Sequence, residues 1–165
     1  MIVNRQRAVR VSHRDLEEFF RRARRALRLP AEAITVCLVT DADMARWNRS
    51  YRGKNRPTDV LSFPNSVGRA AGRNHVRSNP GRAPSKGKLN ARNSSSDFPA
   101  PYLGDIAIAP SVARRNARRL GRSLHDEVRI LILHGMLHLM GYDHETDTGQ
   151  MDRRERRLRR LLGVA

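Results

Sequence analysis

The sequence predicts an α/β fold in a single domain of 165 residues. Two observations predict this class. Three short stretches have the length and the β-branched or alternating composition of strands, and longer stretches around them have the apolar spacing or capping residues of helices. The predicted strands are 34–40, 58–63 and 104–109. The predicted helices are 12–29, 41–49, 110–120, 123–140 and 148–162.

The elements of the N-terminal part follow from caps and apolar periodicity. Ser12 is a suitable N-cap with Asp15 three residues later, and Pro30 ends the first helix. The apolar residues of this helix form one stripe, which consists of Leu16, Phe19, Phe20, Ala23 and Leu27. The stretch "ITVCLVT" at 34–40 is short and β-branched, which is typical of a buried strand. The stretch 41–49 opens on acidic residues and predicts a short helix.

The later elements are justified in the same way. "TDVLSF" follows a proline and "GDIAIA" alternates between faces, so both predict strands. The next helix has Pro110 in its first turn and Gly121 beyond its end. The helix after it begins near Ser123, with Asp126 at the capping-box position, and Gly141 ends it.

Three histidines in the stretch "LILHGMLHLMGYDHE" predict a metal site. His134 and His138 are four residues apart and therefore share one face of a helix. Gly141 allows the backbone to turn, so that His144 reaches the same point. The spacing H-x3-H-x2-G-x2-H equals that of the metzincin metalloproteases, and three imidazoles with one open position are typical of a catalytic zinc site. A single histidine in an apolar helix is more often a hydrogen-bonded core residue, but three at this spacing favour metal binding.

The residue after the first histidine argues against peptidase chemistry. In H-E-x-x-H proteases this residue is a glutamate that acts as the general base, whereas here it is Gly135. Cleavage of a phosphodiester needs a nucleophile, charge neutralisation and positioning, which a metal and a nearby arginine can provide.

A basic stretch before the second predicted strand is the candidate source of that arginine. In "YRGKNRPTDVLSF", Tyr51, Arg52, Lys54 and Arg56 are predicted to lie in a loop before Pro57. The loop is either an ordinary basic turn or a phosphate clamp beside the metal.

The segment 65–101 differs from the rest of the chain. It is rich in Gly, Ser, Pro, Asn and Arg and has no apolar periodicity, so we expect a flexible basic insertion between two strands. The whole chain carries a formal charge of +17, with 33 basic and 16 acidic residues. This balance favours an acidic polymer such as nucleic acid as partner, although an arginine-rich solvated surface would also produce it.

The cellular location is expected to be the cytoplasm. The N-terminal stretch lacks the apolar segment of a signal peptide, and the longest apolar run, 130–140, is too short to span a bilayer. The single cysteine, Cys37, excludes an intrachain disulfide and is expected to be a buried thiol.

Three blocks of the sequence resemble the YbeY family of bacterial endoribonucleases. They are "YRGKNRPTDVLSFP" at 51–64, "LGDIAIAP" at 103–110 and "HGMLHLMGYDH" at 134–144, which Met151 follows. The resemblance runs from about residue 34 to the C-terminus apart from the insertion, which is longer than expected there. It implies an α/β fold with a small mixed four-stranded sheet, and one zinc ion per chain.

The resemblance also implies roles for individual residues. His134, His138 and His144 match the metal ligands. Arg52 and His134 match residues important for activity and are the predicted catalytic residues. Lys54 and Arg56 are further candidates for substrate binding. Asp143, beside the third histidine, either orients an imidazole or stabilises the turn.

The implied function is single-strand-specific cleavage of RNA. The expected partners are single-stranded RNA, ribosomal RNA and the small ribosomal subunit, with no membrane, and the implied roles are maturation of the small-subunit RNA 3′ end and ribosome quality control. Two alternatives remain at this point: a metallohydrolase of another class, such as a peptidase, and a non-catalytic RNA-binding assembly factor.

Overall fold

A mixed four-stranded sheet confirms the predicted α/β fold. In this computed structural model, which describes residues 1–65, 102–143 and 147–164, the strand order is β1-β2-β4-β3. The first three strands in this order are parallel, and β3 runs antiparallel to β4 at one edge. The strands are β1 (Ile2–Asn4), β2 (Ile34–Leu38), β3 (Val60–Pro64) and β4 (Gly104–Ile108).

The five predicted helices are all present, with their ends shifted by a few residues. They are α1 (His13–Ala26), α2 (Asp41–Arg52), α3 (Pro110–Arg119), α4 (Leu124–Leu139) and α5 (Gln150–Leu162). The side chains of Ser12 and Ser123 accept hydrogen bonds from the backbone N–H of Asp15 and Asp126, as their sequence context predicts.

The end of α2 is the main correction to the predicted elements. The helix was expected to end at 49, and Tyr51 and Arg52 were expected in a loop, but both lie in its last turn. Nothing in the three residues after 49 breaks a helix, and Gly53 is the first residue that adopts the left-handed conformation of a helix C-cap, with φ 67°. The arginine is therefore held by a helix.

Helix α4 lies at the centre of the molecule. It contacts β3, β4, α1, α3 and α5. Strand β2 alternates, and Ile34, Val36 and Leu38 belong to the core that α4 shares. Because α4 is surrounded, ten of its sixteen residues are buried, and its hydrophobic pattern is nearly continuous.

The strands that flank the predicted insertion are held together where it begins and ends. The backbone N–H of Asn65 donates to the carbonyl of Leu103 at 2.8 Å, and its side-chain amide donates to the carbonyl of Tyr102 at 3.1 Å. Residues 66–101 themselves lie outside the described residues, so the predicted flexibility of the insertion stays a prediction. In the described part of the chain, none of the helices has the length and apolar character needed to cross a lipid bilayer.

Candidate metal centre and adjoining clefts

The second half of α4 is buried except at His134 and His138. Every other residue of 130–139 is buried, whereas both histidines are half-buried. Their rings meet edge to face, with centroids 4.7 Å apart and planes inclined at 74°, and their Nε2 atoms are 3.1 Å apart. The apolar helix therefore presents its two imidazoles at its surface, where they escape the full desolvation cost of a buried polar group.

The separation of the two Nε2 atoms fits a shared metal ion. Zinc binds imidazole nitrogen at about 2.0–2.1 Å with tetrahedral angles, which places two such nitrogens about 3.3 Å apart. The observed 3.1 Å is close to this value. Two neutral imidazoles are also the donor type that zinc prefers, so these residues fit the metal that the sequence predicts.

Glu155 on α5 holds the ring of His134 from the other side. Its Oε2 lies 2.9 Å from His134 Nδ1, and its side chain is only 14% exposed. When Nδ1 carries the ring proton, it donates a hydrogen bond to this carboxylate. The other nitrogen, Nε2, then has a lone pair that is directed toward His138. Arg159 lies 3.8 Å from the other carboxylate oxygen of Glu155.

Sequence reasoning missed Glu155, although a signal was present. Helix α5 buries Met151, Leu158 and Leu162, and Glu155 is the one acidic residue at the spacing of this apolar stripe.

The start of α5 is fixed by Asp147, whose carboxylate accepts hydrogen bonds from the backbone N–H groups of Gly149, Gln150 and Met151.

An open cleft of about 480 Å³ borders the two histidines. Its walls are formed by the end of α2, by residues 58–64 including β3, and by the turn after α4. Arg52 lines this cleft together with His134 and His138, so the structure brings the predicted catalytic arginine to the predicted metal site. The Arg52 side chain is exposed and has no hydrogen-bond or ion-pair partner in the described part of the chain.

Lys54 and Arg56 line a different cleft. This second cleft, of about 370 Å³, lies next to the first and shares Arg52, Thr58 and Asp59 with it. The sequence places all the basic residues of this stretch in one loop, but the helical end of α2 separates them into two groups.

The remaining predicted site residues lie in or beyond the turn after α4. Asp143 lines the metal cleft, and its predicted role in orienting an imidazole stays a prediction. The contact seen at Nδ1 of His134 is with Glu155. His144 lies outside the described residues, so its role as third ligand also stays a prediction. Among residues 1–65, 102–143 and 147–164, no group of three or more His, Cys, Asp or Glu side chains is placed to hold a metal ion.

Gly135 brings α4 close to the sheet. A Cβ atom at this position would lie 2.8 Å from Cγ2 and 2.9 Å from Cδ1 of Ile106 on β4. On the same side, the hydroxyl of Ser62 donates to the carbonyl of Gly135 at 3.5 Å. The position that carries the general base in H-E-x-x-H enzymes therefore faces the sheet, where a side chain would fit only if Ile106 moved.

The fold and the site define a candidate hydrolase in which two neighbouring histidines line a cleft together with Arg52, an arginine that has no partner in the described part of the chain. The family model described as Endoribonuclease YbeY matches residues 1–163, and the chain belongs to this family. The resemblance seen in the sequence is thus confirmed.

Individual relatives support the same assignment. The chain is 38% identical over 163 residues to an Endoribonuclease YbeY of Koribacter versatilis, covering 98% of this chain and 85% of the relative. It is 35% identical over 149 residues to one of Solibacter usitatus, covering 90% and 78%. A solution structure of a Thermotoga maritima protein matches 99% of this chain and 90% of its own with a TM-score of 0.55 and 23% identity, which supports the fold.

Proposed function

We propose that this chain is a zinc-dependent endoribonuclease that cleaves single-stranded RNA. The observation that carries the proposal is the pair of imidazole Nε2 atoms, 3.1 Å apart, at a cleft that they share with Arg52, which has no partner among the described residues. The names of the relatives, which describe endoribonucleases, support the same activity.

Each residue of the site has a distinct role in the proposed cleavage of a phosphodiester. His134 and His138, with His144 from the sequence, would hold the zinc ion. Bound zinc would supply a Lewis acid that lowers the pKa of a coordinated water and polarises a phosphoryl oxygen. Glu155 holds the proton of His134 on Nδ1, so that Nε2 stays available as a ligand. Arg52 offers a planar set of donors that fits a phosphate and balances its negative charge.

An exposed aromatic ring next to Arg52 favours a single-stranded substrate. Tyr51 is 70% exposed and lines the metal cleft, and its ring rests edge-on against Phe63 at 4.7 Å between centroids. Unpaired bases stack on such rings, whereas bases within a duplex already stack on one another.

The two alternative classes receive less support. A peptidase of the H-E-x-x-H type needs a base where Gly135 packs against Ile106. A purely structural zinc site is usually closed by four protein ligands, but these histidines border an open cleft.

The cellular role that we propose is maturation of ribosomal RNA, including the 3′ end of the small-subunit RNA, and ribosome quality control in the cytoplasm. The formal charge of +17 supports a large acidic partner such as ribosomal RNA or the small subunit. The test of this role is the state of ribosomal RNA ends in cells that carry the His138→Ala protein in place of the wild type.

The biochemical test compares RNA and casein as substrates, with and without a chelator. The wild-type protein is expected to contain about one zinc ion per chain and to cleave only RNA, and His138→Ala is expected to lose both zinc and cleavage. His125→Ala is the matched control, because it removes a histidine from the same helix outside the cleft. Unchanged RNA cleavage in the chelator would exclude a metal-dependent nuclease, and casein cleavage would indicate a peptidase.

Arg52 is tested in the same assay. Loss of a charge-assisted phosphate contact costs about 1.5–3 kcal/mol, so Arg52→Ala is expected to slow cleavage from about tenfold to over a hundredfold. Its melting temperature is expected to stay unchanged, since the side chain is exposed and unpaired in the described structure. Arg49→Ala, on an exposed position of the same helix, is the control. Wild-type cleavage by Arg52→Ala would remove the arginine from the mechanism.

A further inference from the structure

The second cleft has a basic lining that the metal site does not use. Lys54 and Arg56 form one side of it, and Arg119 at the end of α3 contributes from another. Arg52 belongs to this cleft and to the metal cleft, so a strand bound at the metal has a continuous path from one to the other.

Among the described residues, the cations of this cleft have almost no competing partners. In the described part of the chain, Lys54 and Arg56 make no side-chain hydrogen bond or ion pair, and Arg119 contacts only the Oδ1 atom of Asn116, at 3.5 Å. The one acidic residue in the lining, Asp59, is already engaged: it accepts hydrogen bonds from the Asn116 amide at 3.0 Å and from its neighbours in the chain. The cleft therefore carries a net positive charge that an anionic ligand would balance.

A buried side chain fixes the loop that presents these cations. Asn48 is 2% exposed, and its amide donates to the carbonyl of Arg56 at 2.7 Å. The backbone N–H of Lys54 donates to the Asn48 carbonyl at 3.4 Å, and that of Arg56 donates to the Lys54 carbonyl at 2.9 Å. The loop is thus ordered before any ligand binds, which reduces the entropy cost of binding.

We infer that this second cleft is a phosphate subsite for single-stranded RNA, and that Arg119 is one of its ligands. The inference rests on the proposed endoribonuclease function and extends it from the cleaved bond to the adjoining part of the substrate. Arg52, which lies between the two clefts, contacts the strand as it passes from the metal site to the subsite.

The test is RNA binding by Arg119→Ala, with Arg118→Ala as the matched control. Both are arginines at the exposed C-terminal end of α3, but only Arg119 lines the cleft. Fluorescence anisotropy is measured with 2′-O-methylated single-stranded oligonucleotides of increasing length, whose integrity is checked on a gel. Since one neutralised phosphate contributes a log–log salt slope of about 0.7, loss of this contact is expected to reduce the slope by that amount. The corresponding loss of affinity is about eightfold at roughly 0.05 M salt relative to 1 M.

Length dependence and the comparison with Arg118→Ala separate the subsite from a general loss of charge, and a variant that keeps the charge of Arg119 tests whether charge is what the subsite uses. The difference between the two variants is expected to grow with oligonucleotide length, because only longer strands reach the second cleft. Arg119→Lys is expected to recover most of the affinity, since it keeps the charge. Equal affinities for Arg119→Ala and Arg118→Ala at every length would overturn the inference. Failure of the proposed endoribonuclease function would give a different result: the wild-type protein would cleave no RNA, or would cleave it without zinc.

Discussion

At the scale of single residues, Glu155 determines how His134 presents its ring. An imidazole has two nitrogens and can rotate about its side-chain bonds, so a helix alone does not decide which nitrogen faces a metal. The carboxylate at 2.9 Å from Nδ1 selects one tautomer and one orientation. Such an outer partner typically changes metal affinity by about 10- to 100-fold.

We therefore expect Glu155→Ala to bind zinc about 10- to 100-fold more weakly than the wild type. Glu155→Gln, whose amide oxygen still accepts a hydrogen bond, is expected to lie between the two. The measurement is competition with a chromophoric chelator, which does not depend on activity. Asp152→Asn is the control, because it removes an acidic side chain that pairs with Arg156 on the exposed face of the same helix. Wild-type zinc affinity in Glu155→Ala would show that His134 is oriented without this contact.

At the scale of secondary structure elements, the sequence predicts those features that depend on residues close together in the chain. The caps Ser12 and Ser123 are confirmed because an N-cap bonds to a backbone N–H only a few residues away. Strand β1, which has three residues, was missed because it is defined by its pairing with β2, more than thirty residues later. A short strand carries little signal of its own.

The candidate site also combines local features, which the sequence predicts, with long-range contacts, which it does not predict. The helical spacing of His134 and His138 is local, and their proximity follows from it directly. The contact between His134 and Glu155 spans 21 residues and depends on how α5 packs against α4. The separation of Arg52 from Lys54 and Arg56 depends on where α2 ends, which is a balance of small free energies at a helix terminus.

The close packing of α4 on the sheet leads to a prediction about Gly135. Alanine is favoured over glycine within a helix by about 1 kcal/mol, but a Cβ here would lie within 3 Å of Ile106. Overpacking typically costs about 1–3 kcal/mol, so Gly135→Ala is expected to lower the free energy of unfolding on balance.

A double-mutant cycle tests this explanation. Ile106→Ala alone leaves a cavity and costs about 2–5 kcal/mol, but it also removes the atoms that a new Cβ would meet. The double variant is therefore expected to be more stable than the sum of the two single effects, as measured by denaturant unfolding. Simple additivity would mean that the contact with Ile106 does not restrict this position.

At the scale of the whole molecule, stability depends on pH through Glu127 of α4. Among the described residues it is the one buried acidic side chain, at 4% exposure, and its Oε2 lies 3.3 Å from Arg122. Burial raises the pKa of Glu127, and the nearby Arg122 offsets only part of this effect. Because the folded-state pKa lies above the unfolded value, this group stabilises the fold fully at pH values below the unfolded pKa. The contribution is lost as the pH rises through the folded pKa.

We expect Glu127→Gln to gain stability relative to the wild type as the pH increases. Glutamine is neutral at every pH. Only the wild type has a buried carboxyl group whose ionisation is opposed by folding, and this costs stability at pH values above the ordinary pKa of glutamate, about 4.3. The measurement is the free energy of unfolding of both proteins from about pH 4 to pH 8, across the titration range of a raised carboxyl. Glu18→Gln, on an exposed position of α1, is the matched control. A difference that stays constant or falls with pH would contradict the direction of the pKa shift.

The basic insertion contributes to the charge of the whole molecule, and the strands around it suggest how to remove it. Seven basic residues lie in this segment: Arg69, Arg73, Arg77, Arg82, Lys86, Lys88 and Arg92. The hydrogen bonds of Asn65 to Tyr102 and Leu103 hold the residues that flank 66–101 close together, so a short Gly-Ser linker can replace 66–101. Zinc content and melting temperature are expected to stay nearly unchanged, because the described residues that line the metal cleft and form the core all lie outside the segment.

RNA affinity, in contrast, is expected to fall in the linker variant, and mainly at low salt. Contacts between basic side chains and phosphates release counterions, so each one that is lost makes the log–log salt dependence shallower by about 0.7 for single strands. A second variant keeps the length of the segment and replaces its seven basic residues with glutamine, which separates charge from length. If charge is the cause, both variants lose the same salt-dependent affinity. A linker variant that fails to fold or loses its zinc would instead show that the segment is a structural part of the domain.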